Sequence, residues 1–100
     1  MYNLIELSNL YGAILDVVLD IQIDKPSHAR MGLHSVSFLL ALEKENYIDV
    51  KRLSKRVTSL QLSLKKLYFC NHLKVCVLEE LQDMLDEVSV WIDIQHKKAA

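Results

Sequence analysis

The stretch Val77-Leu78-Glu79-Glu80-Leu81-Gln82-Asp83-Met84-Leu85-Asp86-Glu87-Val88 carries apolar residues at alternating steps of three and four. That spacing puts Leu78, Leu81, Leu85, Val88 and Ile92 on one side of a helix and the acids on the other. Working backwards, Val50, Leu53, Val57, Leu60, Leu64 and Leu67 repeat the rhythm, with Lys51, Arg52, Lys55, Arg56, Lys65 and Lys66 opposite. A basic helix therefore precedes an acidic one. From Leu33 to Ala100 there is no Gly or Pro, so turns are few and an all-β fold is excluded.

Towards the N-terminus, Leu4, Leu7, Tyr11, Ile14, Val18 and Ile21 predict a helix from about Tyr2 to Ile23. Leu10, Leu15, Val17 and Leu19 widen its apolar face, which implies more than one neighbour. Asp24-Lys25-Pro26-Ser27 ends it, because Pro26 turns Lys25 away from helical geometry. Ser27 is the expected cap of a second helix reaching about Asn46, built on Met31, Val36, Phe38, Leu39, Leu40 and Leu42. Gly32 weakens that helix by ~1 kcal/mol relative to alanine and permits close approach of another helix. Asp49 is the expected cap of the third.

The expected fold is all-α: an antiparallel four-helix bundle forming a single domain over residues 1–100. A turn near Asn71-His72 then separates the basic and acidic helices. The alternative is a helical hairpin followed by one long coiled-coil helix from Asp49 to about Gln95. In that case Asn71 is the lone polar residue at an "a" position and fixes register.

The composition, 51% hydrophobic and 25% charged, supports a buried core rather than a disordered chain. A formal charge of −1 gives no whole-chain argument for nucleic acid. Met1 to Glu6 lacks the basic region of a signal peptide, and no run of about 18 uncharged apolar residues exists. Neither a secretory leader nor a membrane span is expected, and the expected location is the cytoplasm. Cys70 and Cys76, ~9 Å apart along a helix axis, are too distant to bridge.

Catalytic and cofactor chemistry find no motif. Cys70, His72 and Cys76 miss the spacings of zinc sites. His28-Ala29-Arg30-Met31-Gly32 is similar to the signature of histidine phosphotransfer domains over five residues. Met31, however, stands where those domains carry lysine, and the resemblance is not adopted. No nucleophile has a positioned base, and there is no phosphate-binding loop. The chain is expected not to be an enzyme, and no cofactor is expected.

Two binding functions follow. The first is a protein-interaction role of the adaptor, chaperone, immunity or inhibitor type, acting through an apolar helix face. Val77, Met84 and Trp91, spaced by seven, and Leu15 and Leu19 exceed what one neighbour requires, so they are expected to meet a partner. That partner is expected to be another protein or a second copy in a homodimer. The second concerns Tyr47 to Leu67, which resembles the helix-turn-helix segment of bacterial regulators. The resemblance implies a DNA-binding regulator in which Ser59, Gln61 and Lys65 face the groove beside Lys51, Arg52, Lys55 and Arg56. The turn glycine of that family is absent here.

Overall fold

Helix α1, Leu4–Gln22, ends in a backbone motif that the sequence dictates. Asp24 takes a left-handed φ of 59°, a conformation that Asp tolerates better than most residues. The Lys25 amide donates to the Asp20 carbonyl at 2.8 Å and the Asp24 amide to Ile21 at 3.1 Å. This pair of bonds is the Schellman closure, which satisfies the helix's last carbonyls. Helix α2, Pro26–Ala41, follows at once. Its first helical residue is Pro26, not a residue capped by Ser27 as expected. Proline suits that position because its fixed φ is already helical and no amide is lost. The Ala29 amide donates to the Lys25 carbonyl at 3.0 Å, so Lys25 is the capping residue.

The computed structural model describes residues 4–41, 48–64 and 71–99. Helix α3 covers Ile48–Leu64 and helix α4 Asn71–Ala99. The four helices form a bundle, and there is no strand among the described residues. Asn71 already lies in α4, so it is not the site of a turn. Its side chain and those of His72 and Asp49 lie outside the description, as do Lys65, Lys66, Leu67 and Cys70 entirely. The single long helix is ruled out. Arg52 is ion-paired with Glu87, whereas a straight helix would hold residues 35 apart at ~50 Å.

One core joins the four helices. Leu7, Leu10, Ile14, Val17 and Ile21 come from α1, and Ala29, Leu33, Val36 and Leu40 from α2. Leu53, Val57, Leu60 and Leu64 come from α3, and Val77, Leu81, Met84, Leu85 and Val88 from α4. Among the described residues no charged or polar residue is buried. Close backbone packing joins α1 to α2, α1 to α4 and α2 to α3. At Gly32, a Cβ would come within 2.8 Å of Val17 Cγ2, so the expected close approach is the α2–α1 contact. Helix α4, at ~1.5 Å per residue, spans most of the molecule's 46 Å length.

Candidate functional site

The outward side of α1 is built from the residues left over once its core side is assigned. Leu7, Leu10, Ile14, Val17 and Ile21 turn inward at steps of three and four. A hundred degrees per residue then places Ile5, Ser8, Gly12, Leu15, Leu19 and Ile23 on the opposite side. Their exposures are 74% for Ile5, 40% for Leu15, 50% for Leu19 and 58% for Ile23. Four aliphatic side chains thus line up in water where a surface helix ordinarily carries polar groups. Gly12 lies among them, and a Cβ added there would meet nothing within 4 Å.

The expected partner-facing residues are divided by the fold. Leu15 and Leu19 are on this outward stripe. Val77 and Met84 are not available to a partner: both are buried, and Trp91 packs half-buried against the same core. The cause is the width of α4's inward arc. That helix contributes core side chains to a bundle of three others, so its stripe edge is interior. Ile5 and Ile23 were missed by sequence reasoning. The signal was their separation from Leu19 by fourteen and four residues, on the side away from Leu7 and Ile14.

The basic helix is also divided. Arg52 and Arg56 turn to α4. Arg52 pairs with Glu87, and Arg56 with Glu80, with further contacts to Glu87 at 3.4 Å and Asp83 at 3.8 Å. Low numbers on α3 thus meet high numbers on α4. The hydrogen bond to Glu80 raises the Arg56 pKa, against burial that lowers it, and the three carboxylates add to the rise. The guanidinium is therefore charged at every ordinary pH. Gln61, half-buried, is 3.2 Å from Nδ1 of His34 on α2. Lys51, Lys55 and Ser59 are exposed, and Lys65 lies outside the described residues. Helix α3 runs unbroken through Ser59, so the two-helix unit implied by the regulator resemblance is a single helix.

Elsewhere, Cys76 is exposed, and among the described residues no group of three His, Cys, Asp or Glu could hold a metal. No described helix is long and apolar enough to cross a membrane. At the end of α1, Lys74 Nζ of α4 donates to Asp24 at 2.8 Å. The class defined by these features is a four-helix bundle with an apolar outward face. No family model, curated protein or solved structure matches the chain.

Proposed function

We propose that the protein is a binding module that engages another protein through the outward face of α1. The observation that carries this is the row Ile5, Leu15, Leu19 and Ile23, left in water on the side of α1 opposite the core. Aligned aliphatic side chains of this kind mark interaction sites more often than isolated ones do. Burying each large aliphatic side chain contributes ~1.5–3 kcal/mol, so a docked partner recovers what the free protein forgoes. Adaptors, chaperones, immunity proteins and inhibitors work by such occlusion and need no catalytic group. The duplex-binding alternative draws less support, because Arg52 and Arg56 are engaged with α4 and Gln61 with His34.

The test is the double variant Leu15→Ser/Leu19→Ser. These side chains are outside the core, so the variant keeps its helical circular dichroism and melting behaviour. It is expected to lose association that the wild type shows, whether with a second copy in sedimentation equilibrium or with a purified partner. Identical association by wild type and variant refutes this reading of α1.

A further inference from the structure

Resting on that reading of α1, we infer that its occupant is a basic amphipathic helix of another protein. The argument is the charge that borders the apolar row. Helix α1 contains Glu6, Asp16 and Asp20 and no Lys, Arg or His. Asp16 and Asp20 lie along one flank of the row, on the turns that carry Leu15 and Leu19. Neither has a cationic partner among the described residues. The acids of α4 show the contrast, since Glu80, Asp83 and Glu87 are matched by Arg52 and Arg56.

Helix α4 packs beside α1 and adds acids of its own to this side of the molecule. Because Glu80, Asp83 and Glu87 turn toward α3, the opposite border of α4 is the one on the side of α1. That border carries Gln82, Asp86 and Asp93, with Gln82 Nε2 donating to Asp86 at 3.0 Å. The docking face is thus an aliphatic row bordered by the unpaired carboxylates of Asp16 and Asp20, with those of α4 beyond its other side. A second copy docked α1 on α1 brings no cation from either helix, and it sets carboxylates against carboxylates. Like charges across an interface are costly, whereas opposite charges steer encounter and fix register. A helix with an apolar stripe flanked by Lys or Arg satisfies both the row and its borders. Gly12 adds a place of close approach, since the fold itself has no use for a bare backbone there.

The probe is a synthetic amphipathic peptide of Leu and Lys, about 18 residues long to match the row at ~1.5 Å per residue. A Leu/Glu peptide of the same pattern is its control. Fluorescence anisotropy with the full chain should show saturable binding of the Leu/Lys peptide, weakened as salt rises, and none of the Leu/Glu peptide. Leu15→Ser/Leu19→Ser should weaken binding at least tenfold. Asp16→Asn/Asp20→Asn should weaken it several-fold and flatten the salt dependence, while Glu79→Gln on the outward side of α4 leaves it unchanged. Equal binding of both peptides, or equal losses from Glu79→Gln and the Asp16/Asp20 pair, overturns the inference. So does a wild-type homodimer dispersed by Leu15→Ser/Leu19→Ser. That last result makes a second copy the occupant and leaves the proposed use of α1 standing. Binding insensitive to every α1 change sinks both.

Discussion

Replacing Gly32 by alanine tests the packing of α1 on α2, because two opposing effects of known size meet at one atom. Alanine in a helix interior is favoured over glycine by ~1 kcal/mol. At Gly32, however, the new methyl would sit 2.8 Å from Val17 Cγ2. Val17 is fully buried, and a β-branched side chain has little freedom to rotate away. Overpacking of this kind costs roughly 1–3 kcal/mol. The net expectation is a loss of up to about 2 kcal/mol. At roughly 4–8 °C per kcal/mol for a chain of this size, the melting temperature falls measurably. Urea unfolding followed by Trp91 fluorescence measures it, read as a shift in midpoint at unchanged slope. Gly12→Ala is the internal control, since its methyl enters open space and should stabilise by up to ~1 kcal/mol. Adding Val17→Ala to Gly32→Ala should give a loss smaller than the sum of the single losses, by roughly 0.5–3 kcal/mol. The reasoning is refuted if Gly32→Ala stabilises as much as Gly12→Ala does.

Truncating Leu81 or Met84 to alanine should cost about 2–5 kcal/mol, whereas Leu19→Ala should stay within about 0.5 kcal/mol in the same urea assay. Arg56→Gln should destabilise by about 1 kcal/mol, less in high salt, because it disconnects Glu80 from α3 and leaves Glu87 to Arg52 alone. Since the Arg56 pKa is raised, the stability that shift lends is fully present at every pH below the ordinary arginine value. It should fade only in strong alkali as pH rises through that pKa. Lys51→Gln/Lys55→Gln should leave stability unchanged, and titration of the wild type with duplex DNA should show no saturable, salt-dependent binding; finding such binding would revive the regulator reading.

The helical bundle was legible because α3 and α4 carry clean three-four stripes and no Gly or Pro interrupts them. The pairing of basic α3 with acidic α4 was legible in the same residues, and Arg52, Arg56, Glu80 and Glu87 carry it out. The direction in which each helix faces was harder. Helix α1 is apolar almost all round, so periodicity alone gives several possible inward sides. The phase is set by tertiary contact: Gly32 lets α2 settle against Val17, and that rotation sends Leu15, Leu19 and Ile23 outward. In α4 the error ran the other way. Val77 and Met84 look like surplus if one neighbour is assumed, and become centre when the bundle closes over them. The Schellman turn at Asp24 was half legible: Pro26 announced the break, but nothing announced an aspartate in a position that glycine usually fills.

The closest backbone packing runs from α4 to α1 to α2 to α3. Between its two ends, α3 and α4, long arginine and glutamate side chains reach across. Behind those ion pairs Leu53, Val57, Leu60 and Leu64 hold α3 in the common core, so charge fastens only the rim of that seam. Ionic strength would act on that rim and not on the apolar interior behind it. Salt that barely disturbs the apolar contacts of α1 would weaken the tie on α3.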